Sequence, residues 1–188
     1  MNIMKNYICF LAITFWVSVD QLIKLIINKY FFYERFIIIP SLLEFKPTFN
    51  TKSSYVNFQL SKYWNVDIGE TIHIIFSFIF LFLLLFLYDI MKTKEFGITL
   101  LKNILIWGCS GLLCVLITYL FWDEGCLDYI YLKPFSITFD LKDMYIDLLA
   151  ISAIIYLYYY HRQIDQIKSN DVKEYFKQRI ALIKKRIK

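Results

Sequence analysis

The chain has 188 residues, of which 59% are hydrophobic and 20% aromatic, and it contains only 5 glycines and 3 prolines. Its formal net charge is +5 and its mean hydropathy is +0.50. This composition is too apolar for an ordinary water-soluble domain, and it excludes a disordered chain, a collagen-like repeat and a disulfide scaffold. The length suits one small domain, so the first question is how often the chain crosses a membrane.

Four stretches approach the length of about 20 apolar residues that a helix needs to cross the hydrocarbon core. They cover about residues 8–27, 72–90, 103–122 and 144–160. The first stretch carries Asp20 and Lys24, and charges inside a span are costly unless they are paired or used. Their i, i+4 spacing allows an ion pair buried between helices. We therefore predict an all-α polytopic membrane protein with four transmembrane helices.

Basic residues are concentrated at the C-terminus. Residues 161–188 hold nine Lys and Arg against three Asp and Glu, and Lys92 and Lys94 lie between the second and third spans. Because basic segments stay on the cytoplasmic side, both termini are predicted to be cytoplasmic. We divide the chain into a membrane domain, residues 1–160, and a basic tail, 161–188. Apolar residues recur at helical spacing in the tail, which favours an amphipathic helix on the anionic inner leaflet over a nucleic-acid-binding segment.

An acidic segment connects the third and fourth spans on the predicted outer side. Asp123 and Glu124 precede Gly125 and indicate a solvated turn. Asp128 is harder to explain as a loop residue, because it lies in the apolar and aromatic run 126–132, which is typical of a short strand. A carboxylate at a membrane boundary is a candidate functional site.

Two further carboxylates, Asp140 and Asp143, lie at the start of the fourth span, where Asp140 fits a helix N-cap. Carboxylates in close contact cannot both stay ionised, so one can activate water while the other holds a proton. Asp128 and Asp143 supply this aspartic peptidase chemistry if the chain between them folds back. Other classes have less support, because His73 and His161 are predicted at opposite membrane faces and no nucleophile, phosphate-loop or metal motif is present.

Four short motifs, in order along the chain, resemble those of the prolipoprotein signal peptidases (signal peptidase II). Residues 125–130 resemble G-x-V-x-D-[FY]-[IL], and residues 139–143 resemble F-N-x-A-D. Residues 20–24 are similar to D-x-x-[ST]-K, and Asn50 stands where the family has N-x-G-A-A-F. The similarity covers essentially the whole chain.

The resemblance implies a four-helix enzyme of the bacterial cytoplasmic membrane, with a small extracytoplasmic β-element and an active site at the outer face. It implies that Asp128 and Asp143 form the catalytic dyad. It also implies substrate-binding or supporting roles for Asn50, Asp140, Asp20 and Lys24. The substrate would be a prolipoprotein whose cysteine carries diacylglyceryl, cut just before that cysteine. We expect a monomer without a cofactor or metal.

The chain departs from the family motifs around these aspartates. The second and fourth positions of F-N-x-A-D are Asp140 and Lys142, and Gly125 and Asp128 are one residue closer together than in the family. The third span also lacks the N-L-I-D-R sequence with which the third helix of the family usually ends. The alternative that the protein is a catalytically inactive relative or an accessory membrane subunit therefore stays open. A small transporter is less favoured, because the acidic residues gather toward the outer boundary and form no relay across the membrane.

Overall fold

The structure is a computed structural model that describes residues 3–51 and 55–167, together with residues 173, 175, 177, 181 and 184. The helices are α1 (Ile3–Ile26), α2 (Tyr55–Trp64), α3 (Glu70–Thr93), α4 (Ile98–Phe121) and α5 (Leu141–Asp165). The strands are β1 (Phe36–Ile39), β2 (Leu43–Asn50), β3 (Cys126–Leu132) and β4 (Ile137–Phe139). A π-helical turn, Ile27–Phe31, extends α1, and a 3-10 turn, Lys133–Phe135, separates β3 from β4. The predicted amphipathic tail helix lies largely outside the described residues.

Three helical segments of the described chain are long and apolar enough to cross a membrane. They are Tyr7–Phe31, α3 and α4, and they coincide with the first three predicted spans. Helix α5 has 25 residues, so it is as long as these three segments. It is not among the three, because five tyrosines and charged residues near both ends lower its hydropathy. The fourth span at 144–160 stays a prediction.

Helix α4 lies at the centre of the helical part and packs against α1, α3 and α5. Two glycines allow this close packing, since a Cβ atom at Gly108 would lie 2.5 Å from Leu84 of α3. At Gly111 the nearest atom would be 3.0 Å away, on Ile146 of α5. Small residues serve this purpose where helices pack inside a membrane.

The outer surfaces of the helices are apolar. Only 11% of the most apolar window of α3 is buried, compared with 44% for α4. The exposed large residues of α3 include Phe76, Phe78, Phe80 and Phe82. A continuous apolar surface of this kind is unfavourable in water, whereas lipid tails solvate it and the helix satisfies its own backbone hydrogen bonds.

The four strands form one antiparallel sheet in the order β1-β2-β3-β4. The sheet packs on the end of α1 through a cluster in which Ile27, Leu127 and Tyr129 are buried. The strand predicted over 126–132 is confirmed. Strands β1 and β2 were not assigned from the sequence. In β1 every residue is exposed and apolar, so this strand gives no alternation of polar and apolar side chains.

Candidate functional site

Strand β3 begins at the site and carries Asp128. Its neighbour β2 pairs Asn50 with Cys126 and Thr48 with Asp128. This register brings the Asn50 side chain to Asp128, and Nδ2 donates a hydrogen bond to Oδ2 over 3.1 Å. Asp128 is only 1% exposed. A buried carboxylate needs such donors, because leaving its oxygens unsatisfied is expensive.

The turn before β3 depends on a glycine. Gly125 adopts φ +98°, a conformation that residues with a side chain rarely adopt. A Cβ atom there would lie 2.7 Å from the carbonyl oxygen of Asn50. The turn predicted at Asp123 and Glu124 is confirmed, and its closing glycine lets β2 and β3 come together beside the site.

The N-terminus of α5 contributes Asp140 and Asp143. Asp140 is the N-cap, as predicted, and its Oδ1 accepts a hydrogen bond from the backbone N–H of Asp143 over 3.3 Å. In return, Asp143 Oδ2 accepts one from the backbone N–H of Asp140 over 3.1 Å. This reciprocal capping box fixes both carboxylates at the helix end. Capping and a place in the charged cluster are therefore not exclusive alternatives for Asp140.

Lys142 lies at the centre of the cluster. Its Nζ lies 2.9 Å from Asp140 Oδ1, 3.2 Å from Asp143 Oδ2 and 3.4 Å from Asp128 Oδ1. The lysine is buried, with 5% of its surface exposed. One ammonium group thus contacts three carboxylates that come from β3 and from the start of α5.

Helix α1 adds a second ammonium group. Lys24 Nζ lies 2.9 Å from Asp20 Oδ2, one helical turn earlier, and 2.7 Å from Asp140 Oδ2. All three side chains are completely buried. The ion pair expected between Asp20 and Lys24 is present, and Asp140 extends it to the N-terminus of α5. Asp140 therefore lies between two lysines, which explains how a fully buried carboxylate stays charged.

Cys126 completes the buried cluster. Its Sγ lies 3.3 Å from Asp128 Oδ1 and 3.4 Å from Asp140 Oδ2. The ligand atoms of Cys126, Asp128 and Asp140 all lie within 4.8 Å of one another, close enough to hold one metal ion. Ammonium groups already contact both carboxylates, so a metal ion would have to displace a lysine. The arrangement is that of a lysine-paired carboxylate cluster.

The proton affinities of the two buried aspartates shift in opposite directions. Burial raises the pKa of Asp128 above its usual value, and the negative charge of Asp140 acts in the same direction although Lys142 opposes it. Burial would also raise the pKa of Asp140, but Lys142 and Lys24 outweigh it and hold that pKa below the usual range. Asp140 therefore carries a fixed negative charge, and Asp128 retains a proton to a higher pH than an exposed aspartate does.

The structure brings together all six residues that the sequence singled out. They are Asp128, Asp143, Asn50, Asp140, Asp20 and Lys24. Their roles in a reaction stay predictions, because proximity alone assigns no role. Sequence reasoning missed the positions of Lys142 and Cys126. The signal for Lys142 was present, since a lysine replaces the alanine of F-N-x-A-D between two aspartates, but its burial could not be seen without the sheet.

Comparisons with known proteins agree with this architecture. Two solved structures, each described as a bacterial membrane enzyme determined by the in meso method, have the same fold. Both are 18% identical in sequence to the chain. The first has a TM-score of 0.54 and the match covers 86% of this chain and 92% of the other; for the second these values are 0.53, 79% and 91%. A comparison with curated proteins gave no significant match.

The family comparison covers most of the chain. The model of the family described as signal peptidase (SPase) II matches residues 12–161, which include most of the first apolar helix, all of α3 and α4, the sheet and the whole buried cluster. This match indicates a bacterial membrane protease of lipoprotein processing. The motif resemblance and the family match therefore lead to one conclusion, that the chain belongs to the signal peptidase II family.

Proposed function

We propose that the protein is an aspartic endopeptidase that removes signal peptides from lipid-modified prolipoproteins, with Asp128 and Asp143 as its dyad. The observation that carries this proposal is the convergence of both carboxylates on the ammonium group of Lys142. Asp128 is buried, whereas the Asp143 side chain keeps 40% of its surface exposed. The dyad therefore has one protected member and one member that water and a peptide can reach.

The chemistry follows from one proton shared by the two aspartates. The ionised carboxylate takes a proton from a water molecule as the water attacks the scissile carbonyl carbon, and the protonated one donates to the carbonyl oxygen. Collapse of the tetrahedral intermediate breaks the C–N bond as the amine leaving group takes up a proton. The two titrations belong to the pair, so acid and base roles are not divided between its members. Asn50 orients Asp128 through its hydrogen bond.

The setting in the membrane supports the same substrate class. We propose that α5 is the fourth span, that both termini are cytoplasmic, and that the sheet and the dyad lie at the outer face of the cytoplasmic membrane. Residues 1–160 then form the peptidase domain, and the basic tail, 161–188, lies on the anionic inner leaflet. A monomer suffices, because all six supporting and catalytic residues come from one chain. The scissile bond precedes the diacylglyceryl-cysteine, whose acyl chains stay in the outer leaflet.

A catalytically inactive relative or accessory subunit is the second candidate, and Lys142 is the observation that favours it. An ammonium group in contact with both dyad carboxylates stabilises their ionised forms. A dyad that loses its shared proton would no longer act as an acid. The two candidates differ in whether the wild-type protein cleaves a lipidated substrate.

The test is a gel-shift assay with purified protein in detergent and a diacylglyceryl-modified prolipoprotein. Wild type should cleave before the lipidated cysteine, and Asp128→Asn and Asp143→Asn should each lower kcat by a factor of at least about 1,000, since each removes one half of the acid–base pair. Asp123→Asn is the matched control, because this aspartate is exposed in the turn, and it should leave the rate near that of wild type.

Two outcomes would contradict the proposal. Retained cleavage in both dyad variants would mean that other groups perform the chemistry. No cleavage by folded wild type, when a control enzyme accepts the same substrate, would favour the inactive relative.

A further inference from the structure

Two of the departures from the family motif F-N-x-A-D contact each other. The chain has Asp140 and Lys142 where the motif has asparagine and alanine, and Lys142 Nζ lies 2.9 Å from Asp140 Oδ1. Both side chains are almost completely buried. One substitution adds a negative charge and the other a positive charge, so together they leave the net charge of the cluster unchanged.

Each member of this pair is expensive alone. A buried charge whose partner has been removed is strongly unfavourable, whereas replacing both members by neutral residues is often tolerated. Asp140 has a second partner in Lys24, at 2.7 Å. Lys142 also has further partners, because its Nζ contacts the two dyad carboxylates at 3.4 and 3.2 Å. The pair is therefore joined to the dyad on one side and to α1 on the other.

We propose that Asp140 and Lys142 are a charge-compensated pair of positioning residues, in which Lys142 orients both dyad carboxylates and Asp140 limits the positive charge that reaches them. The inference rests on the proposed function, because it assigns this role relative to the dyad of Asp128 and Asp143. It explains how the chain places a lysine in direct contact with a dyad that needs a proton. Part of the ammonium charge is neutralised by Asp140.

The two members act on the dyad with opposite signs. Removing Lys142 removes a nearby positive charge, so the dyad holds its shared proton to higher pH. Replacing Asp140 by asparagine leaves Lys142 less neutralised, so the dyad loses that proton at lower pH. The other ionisable groups that face Lys142 belong to β3, α5 and α1, and stay the same in both variants. They are Asp128, Cys126, Asp143 and Lys24, and Lys24 is itself paired with Asp20.

The experiment measures kcat/KM against pH for wild type, Lys142→Ala, Asp140→Asn and the double variant that restores the family residues. Each single variant should lose about tenfold or more in kcat/KM, with its pH profile displaced by about one unit, upward for Lys142→Ala and downward for Asp140→Asn. The double variant should recover most of the loss and the wild-type profile. Lys142→Arg, which keeps the charge, should retain the profile.

Lys133→Ala is the matched control, because Lys133 also pairs with a carboxylate, Glu44, at 2.7 Å but lies in the sheet and is partly exposed. Lys133→Ala should leave the pH profile of kcat/KM unchanged. If Lys142→Ala fails to fold, Lys142→Met keeps the buried volume and takes its place. Displacement of both single variants in the same direction, or losses that simply add in the double variant, would overturn the pairing.

Infrared titration of the carboxyl band in the purified proteins keeps this test separate from cleavage. The dyad signal is identified by its loss in Asp128→Asn and Asp143→Asn. If wild type cleaves nothing while a control enzyme does, the proposed function fails. The titration then still tests whether Asp140 and Lys142 act as a charge-compensated pair. Opposite shifts in the two single variants would support the pair, and an unchanged titration would refute it.

Discussion

At the scale of residues, the site combines a proton-holding aspartate with a permanently charged one. Asp128 and Asp140 are both buried, yet the first has one lysine contact at 3.4 Å and the second has two at 2.7 and 2.9 Å. This difference in cation contacts decides which of them ionises readily. Two aspartates of the same burial thus differ in charge, and in the proposed function the first takes part in the chemistry while the second balances the charge of the cluster.

The raised pKa of Asp128 predicts the pH dependence of cleavage. A carboxyl group with a raised pKa keeps its proton to higher pH than an exposed aspartate does, and the dyad loses this acid as the pH rises through the raised pKa. We expect kcat/KM to fall toward alkaline pH. The measurement is a pH profile of cleavage of the lipidated substrate in detergent. A rate that keeps rising into the alkaline range would instead indicate a nucleophile or a bound hydroxide.

At the scale of elements, the site lies where the hairpin of β3 and β4 meets the N-terminus of α5. Strand β3 supplies Asp128, and α5 begins directly after β4 and supplies Asp143. Both sides are fixed by local rules, the turn glycine before β3 and the capping box of α5. Strand β2 then adds Asn50 through its register with β3. An error in that register by one residue would turn Asn50 away from the site.

Gly125 offers a direct test of the element that positions β3. Gly125→Ala should destabilise the protein by about 1–3 kcal/mol, because its positive φ is strained for alanine and its Cβ would meet the backbone of β2. Cleavage should fall as Asn50 separates from Asp128. The measurements are thermal unfolding in detergent and cleavage rate. Gly69→Ala is the control, since no atom lies within 4 Å of the added Cβ; an equal loss there would contradict the explanation.

At the scale of the whole molecule, the sequence predicted the helices better than the sheet. The three apolar spans were predictable because a run of about 20 apolar residues is stable in a bilayer as a helix that crosses it. Strand β1 and the pairing of β2 with β3 were not, because they depend on contacts between segments far apart in the chain. The burial of Lys142 could not be predicted for the same reason, because it requires β3, β4 and α5 to be assembled.

The proposed topology can be checked with reporter fusions. Joining alkaline phosphatase or a fluorescent protein after Lys94, Asp123 and Ile167 should give phosphatase activity at Asp123 and fluorescence at the other two sites. This pattern follows if α4 and α5 each cross the membrane and the basic segments stay inside. Phosphatase activity after Ile167 would mean that α5 does not span the membrane.

The ion pair inside α1 also matters for the order in which the chain is made. Helix α1 is synthesised and inserted long before Asp140 exists, and an unpaired Asp or Lys at the centre of a span disfavours insertion by about 3 kcal/mol. Asp20 and Lys24, one turn apart at 2.9 Å, neutralise each other within the same helix. The nascent helix therefore carries its own counter-ion into the bilayer, and Asp140 joins the pair only when the last helix arrives. Assembly of the buried charges is in this way divided between an early local step and a late step that also completes the site.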